Sequence, residues 1–141
     1  MLIRVTFLRH AQSMQNLGFD VVDAPLSPHG MKTANQTTVD GAELILLSPL
    51  RRALQTYAQT QIRDIGVTPV LQICPEARER KDSKGCLMIG ESVDRTETDV
   101  EFHGRMLRLI ECIQQQSAGF RSVLVVSHAS VIHAIVAKCS A

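Results

Sequence analysis

The sequence lacks any run of about 18 or more apolar residues, so no membrane-spanning helix is expected. Its N-terminus lacks the basic, apolar and small-residue order of a secretory signal. It also lacks a strong charge of either sign. A formal net charge of +1 removes the general case for nucleic acid or a membrane surface as partner, so any anion must be held locally. None of the four cysteines, Cys74, Cys86, Cys112 and Cys139, stands in a Cys-x-x-Cys spacing, which argues against a disulfide framework or a zinc motif. A metal site of Cys74, Cys86 and His103 likewise lacks recognised spacing. A reducing cytoplasm is the expected home. Repeats, low-complexity tracts and linkers are absent too, and the missing tryptophan excludes nothing. What is present is a chain of 141 residues, 45% of them apolar, which fits a single domain, 1–141, with a real core.

Apolar runs bounded by turn residues alternate with stretches of helical spacing. That is the pattern of a mainly parallel sheet covered on both faces, an α/β/α three-layer sandwich. Strands are expected over Leu2 to Leu8, Glu43 to Leu47, Thr68 to Ile73 and Ser122 to Val126, the last being the most apolar and so central. A helix should start at Pro28 behind the N-cap Ser27. A second carries Leu50, Leu54, Tyr57, Ala58, Ile62 and Ile65 and stops at Gly66. A third runs from Asp99 to Gln116 with Val100, His103, Leu107, Ile110 and Ile113 on one face. The last, Ala129 to Lys138, is apolar nearly all round and should be well buried. Between Cys74 and Glu97 the chain is irregular and charged, and loops of that length in a compact domain are usually functional or disordered.

Right-handed crossovers bring the C-terminal ends of parallel strands to one edge, where ligands bind. Each expected strand here ends in ionisable residues: Arg9 and His10; Ser48 with Arg51 and Arg52; Glu76, Arg78, Glu79 and Arg80; Ser127 and His128. Singly, each has a bland reading as a structural histidine, a solvated helix face or a surface ion pair. Jointly they describe an anion-binding crevice with two histidines and a carboxylate. Of the other histidines, His29 reads as a surface residue, and His103 and His133 as helix-packing residues. Lys81, Lys84 and Arg95 either select an anionic substrate or keep the loop solvated.

Arg9-His10-Ala11-Gln12-Ser13 with Asn16, Asp23 to Ser27 with Gly30, Ser48-Pro49-Leu50-Arg51-Arg52-Ala53 with Gln55 and Thr56, then Glu79, then Ser127-His128 follow one another along nearly the whole chain. This succession resembles the motifs of the histidine phosphatase superfamily, the phosphoglycerate mutase-like family, in that family's order. Gly90-Glu91-Ser92, Asp94 and Arg105 are similar to a further segment of family members. The resemblance implies a phosphoglycerate mutase-like α/β fold and a phosphohistidine intermediate on His10. It also implies that Arg9, Arg52 and His128 bind the phosphoryl group, and that Asn16, Ser13 and Ala129 line it. Glu79 is the implied general acid and base, with Glu76 a rival three residues earlier. Ala11 and Ala129 stand where the family most often has glycine.

Neighbouring Arg9 and Arg52 should keep the His10 imidazole neutral. Arginines near Glu79 should lower its pKa, and burial and bound phosphate should raise it. No metal or cofactor is expected, because cationic side chains can match the phosphoryl charge. The substrate would be a phosphorylated small molecule or a phosphoprotein. The last expected helix ends close to Ala141, so an open site is expected, which favours hydrolysis over mutase transfer. An inactive phosphate- or phosphopeptide-binding module is the reading from another class.

Overall fold

The structure is a computed structural model that describes residues 2–91 and 96–139, so Ser92, Asp94 and Arg95 lie outside the described residues. Four parallel strands, β1 (Arg4–Arg9), β3 (Leu44–Leu47), β5 (Val70–Ile73) and β6 (Ser122–Ser127), form a sheet in the order β1-β6-β3-β5. The most apolar segment, β6, is internal as expected, because it must bury both of its faces. One face of the sheet packs Leu44, Leu46, Val123 and Val125 against Met106, Leu109 and Ile113 of α3 (Asp99–Gln116) and Val131 and Ile135 of α4 (Ala129–Cys139). The other face packs Ile45, Leu47, Leu124 and Val126 against Ala53 of α2 (Arg51–Gln59), which in turn contacts α1 (Pro28–Asn35). The result is the expected three-layer α/β/α arrangement. Among the described residues no helix is long and apolar enough to cross a membrane.

Four local expectations need correction. The second helix ends at Gln59 rather than Gly66, because Gln61–Arg63 turns into a strand, β4, that pairs in parallel with β2 (Thr38–Asp40). Ile62 therefore belongs to a small separate sheet. Helix α3 has the expected ends, fixed at its start by a capping box in which Glu101 N–H donates to Thr98 Oγ1. Its buried face is another one. Arg105, Met106, Leu109 and Ile113 face inward, whereas Val100 and Leu107 are exposed. Helix α4 buries only Val131 and Ile135, and Val136 is half exposed. Of the expected packing histidines, His103 lies on the surface beside Lys138 Nζ at 2.7 Å, and His133 is exposed, as His29 is.

Helix α1 begins as its sequence predicts, with Ser27 Oγ accepting from Gly30 N–H at 3.0 Å. It docks directly on the turn after β1. Ser27 N–H donates to the Gln12 carbonyl at 2.9 Å, and a Cβ on Gly30 would lie 2.0 Å from that same oxygen. No relaxed backbone absorbs such an overlap. Gly30→Ala is expected to destabilise the fold by about 2–3 kcal/mol, the scale of core overpacking, read as a lower urea midpoint at unchanged m-value.

Candidate active site

The strand ends meet along one edge of the sheet. The register sets Arg9 beside Ser127, while His10 N–H donates to the Ser127 carbonyl and Ser48 N–H to the Val126 carbonyl, each at 3.0 Å. These bonds fix the backbone positions from which His10, Ser48 and His128 project. The His10 and His128 rings stand 5.0 Å apart between centroids. Glu79 Oε2 lies 4.0 Å from His128 Nδ1, and the buried Arg52 is close enough to depress both imidazole pKa values. Four residues from four separate stretches thus lie together at this edge.

A carbonyl contact decides the tautomer of His10. His10 Nδ1 is 2.6 Å from the Ala11 carbonyl, which can only accept, so Nδ1 carries the proton and Nε2 keeps its lone pair. His128 Nε2 is 2.7 Å from Ser48 Oγ. With the serine donating there, His128 Nδ1 becomes an N–H donor, and that atom is buried without a partner among the described residues. Arg52 Nε and Arg78 Nε are buried and unpartnered as well. Leaving such donors unmet costs roughly 1–3 kcal/mol each. An oxyanion would satisfy them.

Burial is the first cause of the shifts. It lowers the His10 pKa to about 4, with Arg52 and Arg9 adding to the effect and the Ala11 carbonyl opposing it. The arginines expected to do this are thus secondary. Burial, then Arg52 and His10, also depress the pKa of His128. For Glu79, burial raises the pKa and outweighs the Arg80 N–H bond and the Arg52 charge. Its Oε1 accepts from Ser130 Oγ and from Arg80 N–H. Oε2 faces His128.

A pH dependence follows from the His10 shift. Between pH 6.5 and about 4 the unfolded chain protonates this imidazole and the folded chain does not, so stability is full above that window and lost as the pH falls through it. The integrated effect is about 3 kcal/mol, reinforced by His128 and partly offset by Glu79, whose raised pKa works in the opposite sense. Urea unfolding of the wild type and His10→Asn across this window should show a flatter pH dependence for the variant. Parallel curves would sink the assignment.

The other residues named from sequence are placed as follows. Arg9 ends β1, is exposed, and lines an apolar groove with Ile132, His133 and Val136 of α4. Ala129 is the first residue of α4 and borders the same groove. Ser13 and Asn16 brace the turn after His10: Asn16 Oδ1 accepts from Ser13 N–H at 2.9 Å and Ser13 Oγ at 3.1 Å. Thr56 Oγ1 accepts from Ala11 N–H, and Asp23 Oδ1 from Arg51 N–H. Glu76 is drawn away to Cys74 and Cys112, and Arg105 pairs with Glu97. Lys81 lies 3.4 Å from Glu91, while Lys84 is exposed.

Two contacts had no signal in the sequence. Arg52 Nη1 donates to the Gly85 carbonyl at 2.5 Å, and Arg52 Nη2 lies 3.9 Å from Cys86 Sγ. The turn holding Gly85 is itself anchored, its N–H donating to Asp20 Oδ1 at 2.9 Å and Gln15 Nε2 donating to Ser83 Oγ. Ser130 was also missed, although its position two residues after His128 on the first turn of α4 was available.

No protein-family profile matches the sequence, and no curated protein matches it. Solved structures do match. A putative alpha-ribazole-5'-P phosphatase from Escherichia coli aligns with TM-score 0.76 and 21% identity over 98% of this chain and 79% of its own. A mycobacterial glucosyl-3-phosphoglycerate phosphatase aligns with TM-score 0.65 and 21% identity, over 96% and 78%. A phosphoglycerate mutase from Thermus thermophilus gives 0.65 and 19%, over 92% and 80%.

Proposed function

On a chain with the phosphoglycerate mutase-like fold, we propose that the His10, Arg52, Glu79 and His128 cluster hydrolyses phosphate monoesters of small molecules through a phosphohistidine. The observation that carries this reading is the set of buried, unpartnered donors, Arg52 Nε and His128 Nδ1, beside the free Nε2 of His10. Buried donors left unpaired next to a nucleophile suit an anionic substrate. His10, Glu79 and His128 could also be spanned by a metal ion, their ligand atoms lying within 4.8 Å of one another. The buried Arg52 guanidinium beside them disfavours a dication and favours an anion.

In the first step the neutral Nε2 of His10 attacks phosphorus in line with the leaving oxygen. Arg52 and the His128 Nδ1–H hold the equatorial oxygens, with no net proton transfer from either. Glu79, whose burial raises its pKa, acts as the general acid and gives a proton to the departing alkoxide. In the second step the Glu79 carboxylate takes a proton from water as that water attacks phosphohistidine, and inorganic phosphate leaves. Ser130 and Arg80 N–H hold Oε1, which leaves Oε2 for this exchange. The solved structures that align include two phosphatases named for phosphorylated small molecules, which supports the substrate class.

Transfer to a second alcohol is the alternative reading. It is favoured by the Gly85–Cys86 turn, buried against Arg52, which screens that side of the site from water. Single-turnover quenching with a radiolabelled phosphate monoester tests both readings. Expected is a phosphoenzyme stable in alkali and labile in acid, decaying to inorganic phosphate at a rate unchanged by glycerol. An acid-stable adduct contradicts the nucleophile, and label passing to glycerol favours transfer.

A further inference from the structure

We propose that Cys74, Glu76 and Cys112 form a zinc site with water as its fourth ligand, tying the base of the Glu79 loop to helix α3. The donors come from three places: Cys74 directly after β5, Glu76 in the short 3-10 turn Pro75–Ala77, and Cys112 on α3. Their ligand atoms lie within 4.8 Å of one another, and all described cysteines are free thiols.

The geometry fits zinc closely. Two thiolates bound at about 2.3 Å to one tetrahedral zinc are about 3.8 Å apart, and a thiolate and a carboxylate oxygen about 3.5 Å. Cys74 Sγ and Cys112 Sγ are 3.8 Å apart, and Cys74 Sγ is 3.7 Å from Glu76 Oε2. The remaining edge, between Cys112 and Glu76, is within 4.8 Å. Soft thiolates with one carboxylate select zinc over the hard cations, which prefer all-oxygen sites.

Charge and access agree. Binding releases the two thiol protons to solvent and leaves two thiolates, one carboxylate and Zn²⁺, a net charge of −1. The guanidinium of Arg105 stands beside this site, donating to the Glu76 carbonyl at 2.9 Å and to the Arg78 carbonyl at 2.6 Å. Cys74 is buried, but Cys112 and Glu76 are only partly so, and Glu76 also lines a neighbouring cavity of about 450 Å³. The tie has leverage, because Ser127 Oγ donates to the Ala77 carbonyl at 2.6 Å, and Glu79 follows two residues later.

The test uses the whole reduced, metal-stripped chain and does not depend on phosphatase activity. One equivalent of Co²⁺ should give thiolate-to-cobalt charge-transfer absorption that Zn²⁺ displaces, and desalting after zinc loading should leave about one zinc per chain. Sulfur-specific absorption separates this site from the His10, Glu79 and His128 cluster, which has no thiol. Cys112→Ser, at a partly exposed position, should lose the absorption and weaken zinc by at least about 100-fold, and Glu76→Gln should weaken it by about 10–100-fold. His10→Ala should keep both signals. Absence of the absorption in the wild type, its survival in Cys112→Ser, or zinc lost in His10→Ala instead overturns the proposal. So does a Cys74–Cys112 disulfide that takes up no metal after reduction.

Discussion

His10→Ala is expected to lower turnover of a phosphate monoester by at least about 10,000-fold, the scale seen when a nucleophile is removed from a catalytic unit. The trapped phosphoenzyme should vanish with it. The residue is buried and its ring bonds only the adjacent carbonyl, so the loss is chemical rather than a collapse of the fold. Substrate binding should survive, because Arg52 and His128 remain. Unchanged affinity for inorganic phosphate by calorimetry, alongside lost turnover, is the pattern expected of a nucleophile. Turnover within tenfold of wild type would move the chemistry elsewhere.

Arg52→Met should cost about 100–1,000-fold in rate, the scale of losing a donor to a developing oxyanion. Its effect on stability should run the other way. Arg52 is almost fully buried with Nε unpartnered, and the desolvation cost removed with its charge by an apolar side chain of similar length offsets the loss of its bond to the Gly85 carbonyl. The variant should melt at or above the wild-type temperature in phosphate-free buffer. The rise that millimolar phosphate gives the wild type by mass action should shrink or disappear. A large drop in melting temperature with little loss of rate would make Arg52 a structural residue.

Hydrophobic patterning made the sheet legible, because β6 and β3 are short uninterrupted apolar runs that only a strand buried on both faces explains. The same logic placed Arg9-His10, Arg52 and Ser127-His128 at one edge, since the residue after a parallel strand cannot easily point anywhere else. It failed where burial is set by neighbours rather than by period. Helix α3 carries two apolar stripes, and which one faces inward depends on how the Arg105 guanidinium reaches Glu97 and the Glu76 carbonyl. Strands β2 and β4 have three residues each, and a single apolar residue between two polar ones is too short an alternation to stand out. The preference for Glu79 over Glu76 came from the motif resemblance and not from periodicity or charge. A single 3-10 turn over Pro75–Ala77 sends one carboxylate to the cysteines and the other to His128.

Under the proposed phosphatase reaction, the Gly85 carbonyl bonded to Arg52 would bear on product departure. In the resting protein that oxygen sits where a ligand's oxygen would compete for the same guanidinium, so arrival of a substrate is an exchange of partners rather than the filling of a bare charge. Departure runs the exchange backwards. As inorganic phosphate loosens, the glycine oxygen is at hand to take over, which lowers the electrostatic penalty of letting a tightly held dianion go. A turn that weakens ground-state affinity in this way speeds recycling wherever release limits the rate.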